Sequence, residues 1–153
     1  MRLSRDQWAM QLAAITAQRS TCLRRSVGAV LLDARGHILS TGYNGVAAGQ
    51  PHCNESDVDG FGLVVYPFAC LGAGSPSGTD LDNCRAIHAE QNALLQCHDV
   101  YQIDTCYVTV SPCITCTKLL LNTSCKRIVF IEAYPHYSTW ALWEDSGRIW
   151  QKI

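Results

Sequence analysis

The 153-residue sequence contains no apolar run of about 18 residues, so no part of it reads as a membrane-spanning helix. Its opening, "MRLSRDQWAM", lacks the apolar core and small-residue cleavage site of a secretory leader, and the expected location is the cytoplasm. It also lacks an excess of charge of either sign: 12 Lys and Arg stand against 13 Asp and Glu, for a net charge of −1. That balance argues against nucleic acid as a partner, because duplex binding rests largely on neutralising phosphates. The one basic cluster, Arg19, Arg24 and Arg25, suits a single phosphorylated small molecule or a solvated turn after a helix. No internal repeat is present. Cysteine, by contrast, is plentiful, with nine residues. An odd count without an export signal argues against a complete disulfide framework, leaving buried apolar thiols, metal ligands or nucleophiles. The sequons at Asn54 and Asn122 are then chance matches.

The length fits one domain, residues 1–153, able to bury about two-thirds of its unfolded surface. "SRDQWAMQLAAITAQRS" opens with a Ser4/Gln7 capping box and spaces Trp8, Leu12 and Ile15 on one helical face. "VGAVLLD" and "HILSTGYN" read as strands of a hairpin joined by "ARG". Residues 45–84 form a Gly- and Cys-rich insert with one ill-defined apolar piece, and a loop of that length is expected to be functional or pinned. Beyond it, "AIHAEQNALLQC" is a helix with Ile87, Leu94 and Leu95 as apolar positions. "TCYVTVS" follows as a strand, "PCITCTKLLLN" as a helix and "RIVFIEA" as a strand. "STWALWEDSG" is a helix stopped by Gly147, and "RIWQKI" a last strand. The order predicts an α/β fold: a central mixed sheet of about five strands, hairpin first and then parallel, with helices on both faces.

Cys113 and Cys116 lie three apart at the start of a helix, with Pro112 expected at its first position. The helix N-terminus favours thiolates there, which suits a metal site or a redox pair. His88 and Glu90 begin the preceding helix, with 22 residues between Glu90 and Cys113. Two successive helices separated by one strand begin at the same sheet edge, so their starts can converge. His88, Cys113 and Cys116 then supply three zinc ligands and leave a fourth position for water, as catalytic zinc sites do. Glu90, beside that water rather than on the metal, can move protons; as a fourth ligand it would instead close a structural site. His-x-Glu followed by Pro-Cys-x-x-Cys is similar to the motif of zinc nucleobase deaminases.

Taken together, "HAEQNALL", "VSPCITC", "VGAVLLD" and "STGYNG" resemble the deoxycytidylate (dCMP) deaminases of the cytidine deaminase-like superfamily, over nearly the whole chain. The resemblance implies a three-layer α/β/α fold and hydrolytic deamination of dCMP to dUMP and ammonia, supplying thymidylate synthesis. It implies that a zinc-bound hydroxide attacks C4 while Glu90 relays protons. It also implies a hexamer, activation by dCTP with Mg2+ and inhibition by dTTP. Asn44 resembles the asparagine that holds the substrate sugar, although Asn-Gly is also a common turn. The segment Gly42, Tyr43, Asn44, Gly45 resembles the region that answers the allosteric nucleotide. Some relatives carry a second, structural zinc; Cys22, Cys53 and Cys84 fall at matching places, with His52 or Cys70 as the fourth ligand. Three buried cysteines without metal are the alternative. Cys97, Cys106 and Cys125 read as core residues.

For the substrate phosphate, Arg24 and Arg25 are the first choice, with Ala89 and Asn44 completing the expected substrate contacts. Lys118, on the second turn of its helix, points elsewhere, and His136 and Tyr137 are pocket-edge candidates more simply read as surface loop. The competing functions are a deaminase of another cytosine- or adenine-containing nucleoside or nucleic acid, a structural zinc module, and a dithiol redox protein.

Overall fold

The computed structural model describes residues 1–66, 70–134 and 136–153, except for the side chains of Asp57, Tyr66 and Tyr137. Helix α1 spans Arg5–Ala17 and begins with the expected capping box: Ser4 Oγ accepts from the Gln7 amide, and Gln7 Oε1 accepts from the Ser4 amide. Strands β1 (Gly28–Leu32) and β2 (Ile38–Tyr43) form the hairpin, turned at Gly36 with φ +89°. The insert carries a small ribbon of β3 (Asp57–Val58) and β4 (Val64–Tyr66), then two single 3-10 turns. Helix α2 (Ala89–Gln96), β5 (Thr105–Val110), α3 (Ile114–Leu121), β6 (Arg127–Glu132), α4 (Tyr137–Glu144) and β7 (Ile149–Lys152) follow.

The main sheet has the order β2-β1-β5-β6-β7. β1 is antiparallel to both β2 and β5, whereas β5, β6 and β7 run parallel. β2 and β5 therefore point the same way, and the chain leaves both at one sheet edge.

Alternation along the strands divides the core between two faces. Ala29, Leu31, Cys106, Val108, Ile128 and Phe130 pack with Ala89, Ala93, Leu120 and Trp143 on the side of α2, α3 and α4. Val30, Leu32, Tyr107 and Val129 pack with Ala9, Met10 and Ala13 under α1. The layers are thus α1, sheet, and α2–α4, a mixed sheet between helices as expected.

The helix faces differ from the pattern that large apolar residues suggest. α1 buries Ala9, Met10, Ala13 and Ala17, while Trp8 and Ile15 remain 37% and 62% exposed. α2 buries Ala89, Glu90 and Ala93, and leaves Leu95 outside. The reason is the closeness of the helix to the sheet. A Cβ at Gly28 would stand 2.0 Å from the Ala13 carbonyl oxygen, and one at Gly42 would stand 2.2 Å from that of Ala89. Glycine on the strand and alanine on the helix permit this approach, so the bulky residues are turned away from it.

A polar tie crosses the α1 face. Asp6 accepts two hydrogen bonds from Arg127, at 2.9 and 2.6 Å, and one from the Tyr107 hydroxyl at 2.6 Å. Gln151 Oε1 accepts from the other edge of Arg127, linking α1, β5, β6 and β7. Cys106 and Cys125 are fully buried and Cys97 is partly so, as core residues should be. No helix among the described residues is long and apolar enough to cross a membrane.

Candidate active site

α2 and α3 both begin with a potential metal ligand, His88 and Cys113, at the position that caps the helix. The caps are not made by the usual hydroxyl or carboxamide residues. Gln91 Oε1 accepts from the His88 amide at 2.9 Å, and Cys113 Sγ accepts from the Cys116 amide at 3.5 Å. Pro112 precedes the cap instead of occupying the first helical position, because Cys113 is still extended at φ −71°, ψ 171°. The cap geometry turns the Cys113 sulfur back over the first turn, toward Cys116.

His88 Nδ1 lies 3.4 Å from each of the two sulfurs, and all three donor atoms fall within 4.8 Å of one another. Tetrahedral zinc, with Zn–S of about 2.3 Å and Zn–N of about 2.0–2.1 Å, requires N···S edges of about 3.6 Å. One nitrogen and two sulfurs at this spacing fit zinc. The Cys113 thiol is brought down to about 4, first by its hydrogen bond from Cys116 and further by His88, against the effect of burial. Cys116 is driven up by the same hydrogen bond with Cys113 and by burial. A dication held here would favour the thiolate form of both sulfurs. His88 is raised above its ordinary value by its bond to Cys113.

Glu90 lies outside that donor triangle, in the first turn of α2. It is 4% exposed and lines the same cavity as His88 and Cys113. Burial pushes its carboxyl up to about 7. A carboxyl poised between its two protonation states near neutrality can both accept and donate a proton.

The cavity above these groups is walled by three parts of the chain. Arg24, Arg25, Val27 and Asn44 come from the two ends of the hairpin. Ser77, Gly78 and Leu81 come from the insert, and Val110, Ser111 and Tyr134 from the ends of β5 and β6. The structure therefore gathers His88, Ala89, Glu90, Cys113, Asn44, Arg24 and Arg25 around one cavity, with Cys116 sealed beneath. Asn44 is itself tied: its Oδ1 accepts from the Val27 amide at 2.8 Å, and its Nδ2 donates to the Arg25 carbonyl at 2.7 Å. One lone pair and one N–H remain for a ligand. Arg25 is paired with Glu132.

The other members of the "GYNG" segment lie elsewhere. Gly42 packs beneath α2, while Tyr43 and Gly45 line a neighbouring cleft with Val46, Gln50, His52 and Asn92. That cleft is joined to α2 and to the segment just before it. Gly45 and Ile87 exchange backbone hydrogen bonds at 3.1 and 2.8 Å, and Asn92 Nδ2 donates to the Tyr43 carbonyl at 2.8 Å.

Of the cysteines of the insert, Cys70 is held with Cys53 and Cys84. Its pKa falls below the ordinary thiol value: burial opposes this, and the Arg85 and Gly72 amides, with the Cys53 and Cys84 thiols, outweigh it. Cys53 is pushed up to about 12, by burial first and then by Cys70, Cys22 and Cys84. His52 is exposed, with its backbone amide donating to Glu55 at 2.9 Å, and is not part of this group. All nine cysteines are free thiols.

Tyr134 escaped the sequence reading, which looked to His136 and Tyr137. β6 ends at Glu132, and Tyr134 turns into the cavity with its amide donating to Ser111 Oγ at 2.6 Å. His136 is exposed and packs on the Tyr134 ring at 4.8 Å, and the Tyr137 side chain lies outside the described residues. Lys118 is exposed, pointing away from the cavity as expected.

Comparison with known proteins brings in the family. The family described as "Cytidine and deoxycytidylate deaminase zinc-binding region" matches residues 3–132. A deoxycytidylate deaminase of Schizosaccharomyces pombe is 35% identical over 140 residues, covering 87% of this chain and 38% of its own length. The deoxycytidylate deaminase of Mycobacterium phage D29 is 36% identical over 126 residues, covering 82% of this chain and 92% of the phage protein. The chain thus spans less than two-fifths of the yeast relative and nearly all of the phage one. Among solved structures, the dCMP deaminase of cyanophage S-TIM5, in complex with dCMP and dUMP, superposes with a TM-score of 0.71 at 26% identity. The match covers 100% of this chain and 99% of that one.

Proposed function

The chain belongs to the cytidine and deoxycytidylate deaminase family, and from that premise we propose that it converts dCMP and water to dUMP and ammonia. The observation that carries the reading is Glu90: a buried carboxyl raised to about 7, facing a cavity beside one imidazole and two thiols at zinc spacing, yet outside the donor triangle. His88, Cys113 and Cys116 would hold zinc, which would supply an acidified water for attack on C4 of the pyrimidine. Glu90 takes one proton from the attacking water and delivers it to the ring nitrogen, then takes a second from the new C4 hydroxyl and gives it to the departing amine. Its burial raises its basicity enough for the first step and keeps it acidic enough for the last. Asn44, with one donor and one acceptor unspent, suits the sugar, and the Arg24 and Arg25 end of the cavity suits a phosphate monoester. The phage and yeast relatives named for dCMP support that substrate.

The same reading extends to control and to a second metal. The cleft of Tyr43 and Gly45 is a place for dCTP with Mg2+, or for dTTP. Its backbone bridge to Ile87 ends one residue before His88, which gives an effector a direct path to the metal site. A structural zinc on Cys22, Cys53 and Cys84, with Cys70 as the fourth ligand, is the second-metal reading, while among the described residues only His88, Cys113 and Cys116 bring three donor atoms within 4.8 Å of one another. Such a clip explains how a Gly-rich insert can form a fixed cavity wall. A hexamer is the assembly we propose, as the resemblance implies.

The substrate claim is tested by ammonia release from dCMP, deoxycytidine and single-stranded DNA, using zinc-loaded protein. Turnover of dCMP with at least about tenfold preference over deoxycytidine is expected, from one charge-assisted phosphate contact. A preference for the nucleoside or for DNA would overturn it.

A further inference from the structure

Arg24 lies just before β1, yet its hydrogen bonds go to the far end of the insert. Its Nη1 donates to the carbonyls of Thr79 at 2.6 Å and Pro76 at 3.1 Å, with that of Ser75 at 3.5 Å. The turn these carbonyls belong to is the one that brings Ser77 and Gly78 to the cavity wall. It is braced from within: Thr79 Oγ1 donates to the Pro76 carbonyl at 2.7 Å, and Ser75 Oγ donates to Asp80 at 3.0 Å. It is also fitted to the cavity from outside. Gly78 has φ +85°, and a Cβ there would stand 1.8 Å from the Tyr134 hydroxyl. The turn is a preformed unit, seated against Tyr134 and fastened by one guanidinium.

Only one corner of that guanidinium is used. Nε and Nη2 of Arg24 have no acceptor among the described residues, and the side chain lines the cavity. Its charge is felt at both His88 and Tyr134. Arg25, the neighbouring cation, is engaged differently, with Glu132 at the end of β6 and with no bond to the insert. A guanidinium holds five donors in one rigid plane, so an anion on one edge and carbonyls on the opposite corner fix each other's geometry. An ammonium cannot bridge in this way.

We propose that Arg24 is a positioning residue that couples occupancy of the phosphate end of the cavity to closure of the 75–79 turn. One guanidinium edge meets a phosphate monoester while Nη1 holds the turn's carbonyls. The proposal rests on the nucleotide-substrate reading above. Coupling is reciprocal: the phosphate orders the turn, and the ordered turn presents the guanidinium. A nucleoside fills the cavity without gaining the closure, so part of the preference for a nucleotide is carried by the insert wall.

The test is hydrogen–deuterium exchange in peptides covering 72–84, on zinc-loaded wild type, Arg24→Ala, Arg24→Lys and Arg25→Ala, each alone and saturated with dUMP or deoxyuridine. In wild type, dUMP slows exchange of the turn at least about fivefold and deoxyuridine does not, the margin expected for strengthening a single charged hydrogen bond. Without ligand, Arg24→Ala exchanges about tenfold faster, and in both Arg24 variants saturating dUMP restores no protection. Arg25→Ala weakens dUMP binding but leaves ligand-free exchange at the wild-type rate. In parallel, Arg24→Lys lowers kcat/KM for dCMP by about tenfold while changing that for deoxycytidine by less than about threefold. Wild-type exchange in folded, zinc-loaded Arg24→Ala would overturn the clamp, and dUMP protection surviving in Arg24→Lys would overturn the coupling. Failure of wild type to bind dUMP would overturn the substrate reading, a result distinct from either.

Discussion

Replacing Gly42 by alanine adds one methyl group at the place where β2 meets α2. That methyl would lie 2.2 Å from the Ala89 carbonyl oxygen, 2.4 Å from the Ala93 amide nitrogen and 3.0 Å from the Ala93 Cα. All three are backbone atoms, so no side chain can swing aside. Restoring ordinary contact needs a separation of at least about 3.4 Å, hence a retreat of the helix by about 1 Å. Overpacking of this kind costs about 1–3 kcal/mol, and here the upper end applies because the obstacle is main chain. The displaced helix begins at Ala89, immediately after His88, and carries Glu90. A misplacement of about 1 Å costs about 100-fold in rate when it reaches reacting groups. Gly42→Ala should therefore lower stability and turnover together. The assay is urea unfolding of zinc-loaded protein beside dCMP turnover, with Gly60→Ala as the control, since a Cβ at Gly60 meets nothing within 4 Å. Unfolding of Gly42→Ala within about 0.5 kcal/mol of wild type would refute the close-approach account of how α2 is placed.

Two further outcomes follow from other parts of the molecule. Asp6 is held below the ordinary carboxyl value, chiefly by its hydrogen bonds from Arg127. A carboxyl depressed on folding contributes stability that is full above its unfolded pKa and lost as pH falls through the folded value. Asp6→Asn should flatten the fall of unfolding free energy between about pH 5 and pH 3, and an unchanged slope would contradict the role given to the Asp6–Arg127 tie. In the insert, metal analysis should find two zinc ions per chain in wild type and one in Cys70→Ser. Two in the variant would return the fourth ligand to another residue.

Much of the site was legible because its signals are short in sequence. The Ser4/Gln7 box, the turn at Gly36 and the stop at Gly147 are local chemistry, and each stands where the residues place it. The meeting of His88 with Cys113 and Cys116 needed one topological step, that helices following parallel strands start at one edge. β2 and β5 meet that condition through their shared antiparallel neighbour β1. What stayed hidden depends on contacts between distant elements. Trp8 and Ile15 look like a buried face until Gly28 is seen to bring α1 against the sheet at Ala13 and Ala17. Leu95 misleads for the same reason at Gly42. Arg24 reads as a free cation, and nothing nearby in sequence shows that its partners lie 51 to 55 residues on. Tyr134 was missed because strand ends are poorly marked, and a small shift there decides which aromatic residue faces the cavity.

The account stands or falls on Glu90 as the proton carrier beside a three-ligand zinc. The most direct measurement is the rate of dUMP and ammonia formation from dCMP by zinc-loaded Glu90→Gln, with zinc content determined on the same sample. The prediction is full retention of catalytic zinc and a loss of about two to four orders of magnitude in kcat, the usual weight of general acid–base catalysis. A variant that keeps its zinc and turns over dCMP at near the wild-type rate would contradict it.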